Sequence, residues 1–305
     1  MIQVLLPQNK TPHFYAAAEE WMVRNLKNDH YFFTYINQTP CVVLGKNQSV
    51  WSEVNWNFIR QQPQNIVRRI SGGGTVYHDS GNINFGFIVP FDDTKINNYK
   101  WFNQPILDAL ALLGIKATFS ERNDLLYNGF KISGNAQFTD RKMMLSHGTL
   151  LFDANMVNLK VALSPNDFNT TTKAVKSVRS NVKNLKDITS LSQPDFYKKL
   201  IEHLPIKERL SLIDSELKEI EHLQKEKYET KVWTFDKSPN TFVEKKNISF
   251  NIIDGCIENI NTCLIDFPIE LITSCRMDFE VVEKKMLQSK IGATKTMKFL
   301  NDLFS

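Results

Sequence analysis

Three consecutive glycines, Gly72-Gly73-Gly74, stand inside the run Arg68-Arg69-Ile70-Ser71-Gly72-Gly73-Gly74-Thr75-Val76-Tyr77-His78-Asp79. Each glycine costs roughly 0.5–1 kcal/mol of conformational entropy against alanine when it is ordered, and three in a row pack no core. What they permit is close backbone approach. Without Cβ atoms, a ligand lies against the chain and accepts hydrogen bonds from successive N–H groups. The two arginines ahead of the loop carry planar, forked donors suited to phosphate or carboxylate. Loop chemistry alone leaves two readings open, an anion seat and a plain hairpin turn, since glycine is common in turns. Two familiar phosphate loops are excluded. The run lacks the Gly-Lys-Ser/Thr of a Walker-type loop, and no Gly-x-Gly-x-x-Gly opens a helix.

Ten of the twelve glycines lie between Gly45 and Gly148, and none lies between Gly148 and Gly255. Tight turns therefore concentrate in the first half, which places the site there, and the second half is expected to be mostly helical. With 305 residues, 42% hydrophobic and 23% charged, the chain is globular and long enough for one large and one small domain. Its 37 basic and 33 acidic side chains leave +4. That is too little to argue for nucleic acid but suits an acidic protein partner. Cys41, Cys256, Cys263 and Cys275 show no Cys-x-x-Cys spacing and no histidine pattern, against a zinc site or a disulfide framework. The first seven residues carry no basic region with a long apolar segment. No apolar run reaches the roughly 18 residues of a membrane span. The expectation is a soluble, cytoplasmic, monomeric protein.

Periodicity predicts a helix over 14–27, with Phe14, Ala17, Ala18, Trp21, Met22 and Leu26 as its inner stripe and Glu19 and Glu20 on the solvent side. Strands are expected at 31–36, 40–44 and 66–70, and a short helix at 55–62 ahead of Pro63. Residues 76–77 and 84–89 read as neighbouring strands about the bend His78-Asp79-Ser80-Gly81. A helix over 99–113 ends at Gly114, with Leu107, Leu110, Ala111 and Leu113 inward, and a strand follows at 115–119. From 194 to 227 the pattern is helical, with the stripes Phe196, Leu200, Ile201, Leu204 and then Leu210, Ile213, Leu217, Ile220, Leu223. Residues 246–305 form a separate small domain. Its strands at 247–253 and 256–263 are joined by Asp254-Gly255, a hairpin signal, and a helix lies within 289–303.

Lys131 interrupts an apolar strand. Alternation turns it away from Phe130 and Ile132, so burial of those two sends the lysine to the other face. A lone strand lysine is ordinarily a solvated edge charge. Here Ser133-Gly134-Asn135-Ala136 follows it, and an ammonium in a partly closed site holds a phosphate and polarises an acyl carbonyl together. His78 reads either as a structural, hydrogen-bonded histidine or as a site residue. No Gly-x-Ser-x-Gly elbow supports a hydrolase triad.

Several motifs in fixed order carry a resemblance. They are Gly45-Lys46-Asn47-Gln48 with Trp51 and Glu53; the glycine run through His78-Asp79 with Gly81-Asn82-Ile83-Asn84-Phe85; and Asn123-Asp124-Leu125. Lys131-Ile132-Ser133-Gly134-Asn135-Ala136-Gln137, His147-Gly148-Thr149-Leu150-Leu151, Ser177-Val178-Arg179-Ser180 and Trp233 to Pro239 complete the series. Together they resemble the lipoate–protein ligases over nearly the whole chain. Ser146 stands where many members have a second histidine, and Asp236 replaces a usual glycine. The resemblance implies an α/β (α+β) fold like that of class II aminoacyl-tRNA synthetase and biotin ligase catalytic domains, a mixed sheet with flanking helices. A small α+β C-terminal domain is added, with residues 1–243 catalytic and 244–305 accessory.

The resemblance also implies a two-step reaction. Lipoate attacks the α-phosphate of ATP, giving lipoyl-AMP and pyrophosphate, and an acceptor lysine then takes the acyl group and releases AMP. By family match Lys131 is catalytic. Arg69, Gly74, Thr75, Val76, Tyr77, Lys131 and Asp124 contact ATP, with Asp124 also a candidate ligand of Mg2+. Ser71, Gly72, Gly73, His78, Lys131, Gly134, Asn135, Ala136 and His147 form the lipoate site. The implied acceptors are lipoyl domains of 2-oxoacid dehydrogenase complexes or the glycine cleavage H protein. A carboxylate and a phosphate at 4 Å repel by about 4 kcal/mol at an effective dielectric of 20, which Arg69, Lys131 and a nucleotide-borne magnesium would offset. The alternatives are an octanoyl or lipoyl transferase working without ATP, an enzyme using preformed lipoyl-AMP, a biotin ligase, and a non-catalytic lipoate-binding scaffold. The first commonly needs a nucleophilic cysteine, and Cys41, mid-strand, is the one cysteine in the glycine-rich half. The biotin ligase loop differs from this glycine run, and retention of Arg69 and Lys131 opposes a scaffold.

Overall fold

The computed structural model describes residues 1–55, 57, 65–164, 169–178, 180–289 and 291–304. In chain order the first half gives β1 (Ile2–Leu5), α1 (Pro12–Asn25), β2 (Tyr31–Tyr35), β3 (Cys41–Leu44), α2 (Val50–Glu53), β4 (Asn65–Arg68), β5 (Val76–His78) and β6 (Asn82–Pro90). It continues with α3 (Tyr99–Leu112), β7 (Thr118–Phe119), β8 (Asp124–Tyr127), β9 (Phe130–Thr139), β10 (Met143–Leu151) and α4 (Met156–Ala162). The second half gives β11 (Asn169–Thr172), α5 (Gln193–Glu202), β12 (Glu208–Ser211), α6 (Asp214–Leu223), β13 (Thr241–Glu244), β14 (Ile248–Ile253) and β15 (Cys256–Thr262). Helices α7 (Ile269–Ile272), α8 (Phe279–Gln288) and α9 (Ala293–Phe304) close the chain.

Among the described residues the strands form three sheets. The largest has the order β12-β1-β2-β6-β10-β9-β8-β7. It is mixed: β1 runs parallel to both β12 and β2, and the remaining pairs are antiparallel. One face carries a core with α3 and α5, built on Phe32, Phe85, Ile106 and Leu200; α1 and α6 cover the other through Phe33, Tyr15, Met22 and Ile220. This is the expected mixed sheet with flanking helices.

The second sheet has the order β4-β3-β5. The strands on either side of the glycine run both pair with β3 and not with each other, so the run is not a hairpin turn. For the same reason β5 and β6 are not neighbours, as their proximity in sequence suggested; they lie in different sheets. Side chains alternate on this small sheet. Val43 and Val67 face α1, while Val42, Leu44, Ile66 and Tyr77 enter the core shared with the C-terminal elements.

The third sheet, β11-β13-β14-β15, corrects the expectation of a mostly helical second half. It draws β11 from the middle of the chain, and β13 spans residue 243. Asp254 and Gly255 both have positive φ (47° and 77°) and close the expected β14–β15 hairpin. Phe250, Ile252, Val282, Phe299 and Leu303 join α2 and β3 in one core.

Other expectations need correcting. The helix predicted for 55–62 falls almost wholly outside the described residues, as does Pro63. Glu19 and Glu20 are not solvated: α1 is wedged between the small sheet and the 214–236 segment, and both acids are 3% exposed. Glu20 accepts from Arg24 (2.7 Å), Lys227 (2.6 Å) and Tyr228 (2.6 Å). In α3 the inner face is Phe102, Ile106, Ala109 and Leu110; Ala111 is exposed, and Leu107 and Leu113 lie at the margin. The strand expected at 115–119 shortens to β7. Leu210 sits in β12 and Ile213 caps α6 largely exposed, so only Leu217, Ile220 and Leu223 continue the predicted stripe. Phe130 is exposed while Ile132 is buried, because the β8–β9 pairing shifts register between Leu125 and Leu126. No helix among the described residues is long and apolar enough to cross a membrane.

Candidate active site

A cavity of about 300 Å³ opens between the large sheet, the small sheet and α1. Tyr35, Asn84, Asn135, His147 and Thr149 line it from the large sheet. Val43, Val67, Val76 and His78 do so from the small one, and Pro12, Ala16 and Glu19 from the helix. Its volume sits at the small end of ligand pockets.

The two arginines divide the work. Arg68 is fully buried and donates to backbone oxygens of Trp233, Thr234, Gly45, Lys46 and Gln48 and to the Ser238 hydroxyl, at 2.6–3.2 Å. It has no donor left for a ligand. Burial lowers its pKa to about 10. Arg69 instead lies in the cavity wall. It donates to Ser71 Oγ (2.9 Å) and to the carbonyls of Val43, Gly72 and Gly74, which fixes the curl of the glycine run. No carboxylate lies within 4 Å of it among the described residues. Burial, partly offset by Glu19, brings its pKa to about 10. Gly73 has φ +86°, and a Cβ there would fall 2.9 Å from Arg69 Nη2. The residue is glycine both for its backbone and for the guanidinium beside it.

A buried hydrogen-bonded chain runs behind Arg69. Glu19 accepts from Tyr35 (3.0 Å) and meets His147 Nδ1 at 2.7 Å; His147 Nε2 meets Ser71 Oγ at 2.7 Å. Burial, then the neighbouring Glu19, pushes the Tyr35 hydroxyl well above its ordinary pKa, so it stays a donor. Deeper, His78 Nδ1 lies 3.1 Å from the Asn37 amide nitrogen. Burial, then Arg69 and His147, lower the His78 pKa to about 3, and the ring is neutral.

On the facing wall Lys131 Nζ pairs with Asp124 at 2.8 Å, both partly exposed. A Cβ on Gly134 would lie 2.9 Å from Lys131 Nζ, so this glycine gives the ammonium its resting place. Over the glycine run lies Ser177. Ser177 Oγ accepts from the Thr75 N–H (2.9 Å) and Gln48 Nε2 (3.0 Å) and donates to Glu53. Gln48 Oε1 accepts from Thr75 Oγ1 and the Gly45 N–H. Arg179 lies outside the described residues. Burial raises the Glu53 carboxyl despite hydrogen bonds that lower it. No cluster of three or more metal-ligating side chains occurs among the described residues.

Of the residues singled out from sequence, the cavity wall gathers Arg69, Gly73, Gly74, Thr75, Val76, His78, Asp124, Lys131, Gly134, Asn135, Ala136 and His147. Ser71 lies behind the wall, bonded to His147 and Arg69. The Gly72 carbonyl is held by Arg69. The Tyr77 ring packs into the opposite core. Ser146 is buried in β10. Cys41 is fully buried at the start of β3 and its thiol is pushed up by burial, which leaves no nucleophile there. Sequence reasoning missed Glu19, Tyr35, Asn37 and Asn84. The alternation of Asn82 and Asn84 in an apolar strand was a readable sign of a polar inner face.

A lipoyl protein ligase A/B catalytic domain matches residues 11–205. The lipoate–protein ligase 1 of Staphylococcus aureus is 36% identical over 262 residues, covering 81% of this chain and 80% of its own. A crystal structure of lipoate-protein ligase A bound with ATP superposes with a TM-score of 0.65 at 22% identity, covering 76% of this chain and 98% of its own. Plasmodium falciparum LipL1 in complex with lipoate gives 0.64 at 21%, covering 100% and 98%. Motif order, fold and sequence identity agree: the chain belongs to the lipoate–protein ligase family, enzymes that ligate lipoate to proteins.

Proposed function

We propose that the cavity holds lipoate with its carboxylate toward Arg69 and Lys131, and that ATP lies across the cavity mouth along Gly73 to Val76. The observation that carries this reading is Arg69: a buried guanidinium, unpaired with any described carboxylate, in the wall of an otherwise half-apolar cavity. A buried cation of this kind calls for an anion. Lys131, held by Asp124, approaches from the other wall as a second cation. Together they bring the lipoate carboxylate and the α-phosphate to one place against their repulsion. Attack at phosphorus expels pyrophosphate and leaves lipoyl-AMP. Lys131 then polarises the acyl carbonyl while an acceptor lysine attacks and AMP departs.

No protein cage for a metal is present among the described residues, and the partly exposed Asp124 lines the cavity beside Lys131. The donor set fits a magnesium ion carried mainly by the nucleotide's phosphates, with Asp124 as its protein contact. The ion would neutralise phosphate charge. The acceptors in this reading are lipoyl domains of 2-oxoacid dehydrogenase complexes or the glycine cleavage H protein. Residues 1–243 carry the ligation site and 244–305 form an accessory domain.

Incubation of the pure protein with ATP, lipoate and an apo lipoyl domain tests the reading. Pyrophosphate release that needs lipoate, and an acceptor heavier by one lipoyl group, are expected. Transfer from synthetic lipoyl-AMP without any ATP-dependent step would leave the preformed-adenylate alternative.

A further inference from the structure

The motif Gly45-Lys46-Asn47-Gln48 with Trp51 and Glu53 supplies two buried polar side chains, Gln48 and Glu53, that the ligation chemistry above does not use. Glu53 ends α2, and Val50, Trp51 and Val54 around it are all buried in the core shared with the C-terminal elements. That packing holds the short helix in place, and the Glu53 carboxylate with it. The carboxylate accepts twice from Ser177, from its N–H at 3.3 Å and from its hydroxyl. Ser177 Oγ in turn accepts from the Thr75 N–H (2.9 Å) and from Gln48 Nε2 (3.0 Å). A hydroxyl has one donor and two acceptor lone pairs, so every position on this one is used. A carboxylate only accepts, so Glu53 orients the hydroxyl and leaves both lone pairs to Thr75 and Gln48.

Ser177 also lies directly against the glycine run. A Cβ on Gly74 would stand 3.1 Å from Ser177 Oγ and 3.4 Å from its Cβ. Val175 and Val178, on either side of the serine, are 50% and 63% exposed, so little apolar burial holds this stretch. Its attachment is polar instead. The Val175 N–H donates to the Asn47 carbonyl (3.2 Å), and Gln48 Nε2 donates to the Val175 carbonyl (3.3 Å). Val175, Lys176, Ser177 and Val178 all line the cavity. One wall of the cavity is thus tied to the glycine run by hydrogen bonds, and the carboxylate among their acceptors is Glu53. Hydrogen bonds to an ionised acceptor are the stronger kind.

We propose that Glu53 is a positioning residue for adenylation: by holding Ser177 against Gly74 and Thr75, it sets the wall along which the nucleotide lies. It touches no reacting atom. The inference rests on the reading that places ATP along Gly73 to Val76. The Thr75 N–H is committed to Ser177, so the nucleotide meets a run whose shape the serine has already fixed, and the serine stays in place as ATP binds.

Initial rates of lipoate-dependent pyrophosphate release over a range of ATP concentrations test it, on wild type, Glu53→Ala, Glu53→Gln, Ser177→Ala and the Glu53→Ala/Ser177→Ala double variant. Glu53→Ala and Ser177→Ala are each expected to raise the KM for ATP about tenfold, the size of one lost hydrogen bond to a charged group, with kcat within about threefold of wild type. A loss of folded protein alone would lower the apparent kcat and leave KM where it is. Glu53→Gln keeps an acceptor for the Ser177 hydroxyl and should hold KM within about threefold of wild type. In the Ser177→Ala background, Glu53→Ala should raise KM by less than about threefold more, because the carboxylate acts through that side chain. An unchanged KM in Glu53→Ala or in Ser177→Ala overturns the proposal, as does a full second tenfold rise in the double variant. A lower KM in Ser177→Ala overturns it too, since the nucleotide would then be displacing the serine. Ser177→Ala decides alone if Glu53→Ala fails to fold. A wild type that releases no pyrophosphate overturns the ATP reading and this inference with it, whereas an active wild type whose variants keep its KM overturns this inference alone.

Discussion

Glu19 Oε2 lies 2.7 Å from His147 Nδ1, joining residues 128 positions apart. The carboxylate fixes the ring's tautomer: Nδ1 donates to Glu19, Nε2 accepts from Ser71, and Ser71 Oγ accepts from Arg69. The chain ends on the guanidinium proposed to face the substrate carboxylate. Glu19→Ala is therefore expected to lower lipoate-dependent pyrophosphate release by about 10–100-fold, the usual effect of removing a group that orients a site histidine. Glu19→Gln, whose amide oxygen still accepts from Nδ1, should retain most activity. Equal rates in wild type and Glu19→Ala would show that the chain has no bearing on chemistry.

Lys131→Ala removes the ammonium proposed to approach both phosphate and acyl carbonyl from the outer wall. A loss of at least about 100-fold in pyrophosphate release is expected. The lysine is partly exposed, so the melting temperature should hardly move. An undiminished rate in a folded variant would remove Lys131 from the mechanism.

Arg68 and Arg69 are adjacent in sequence, and their substitutions should behave differently. Arg68→Ala strands carbonyls from two distant segments, Gly45 to Gln48 and Trp233 to Thr234. With each buried unsatisfied group costing about 1–3 kcal/mol, the variant is expected to lose roughly 3–5 kcal/mol of stability. Arg69→Ala should lose activity at least as strongly as it loses stability. Urea midpoints and initial rates measured on both variants separate the roles. Reversed behaviour would exchange the assignments.

How far the sequence foretold this division follows from what each signal encodes. The glycine run and the Lys131 stretch were legible because close backbone approach demands glycine, and few other constraints do. The mixed sheet followed from the resemblance carried by the ordered motifs; strand and helix periods marked elements but not their pairing. Arg68 looked like a ligand residue because a forked donor is the same group whether it meets phosphate or six protein oxygens. Glu19 and Glu20 were misplaced because a helix covered on every side gives no polar face to read. The pairing of β4 and β5 with β3 is a long-range choice that local pattern does not carry, and β12 hid inside a helical stripe for the same reason.

Gly134→Ala puts a methyl group 2.9 Å from where Lys131 Nζ now rests. The far end of lysine is flexible, so the ammonium shifts and the backbone stays. The expected outcome is about a tenfold fall in kcat for adenylation, since small misplacements of a catalytic group are costly, with little change in unfolding. A variant as active as wild type would show that the resting position of Lys131 does not govern its reacting position.

His78 gives a pH prediction whose sign is fixed by its burial. Its folded pKa, about 3, lies below the ordinary 6.5. Between those values the unfolded chain holds a proton that the native ring does not, so stability rises with pH across the window and levels off above it. One such group contributes up to about 1.36 kcal/mol per pH unit. His78→Gln removes this contribution, whereas carboxylates such as Glu20, whose hydrogen bonds outweigh burial and hold it below its usual range, titrate alike in both proteins. The difference in urea midpoint between variant and wild type is therefore expected to shift toward the variant as pH falls from 6.5 toward 3. Parallel pH profiles would mean that His78 takes up its proton in the folded protein as readily as in the unfolded one, and that its ring is not sealed from water at the cavity's inner end.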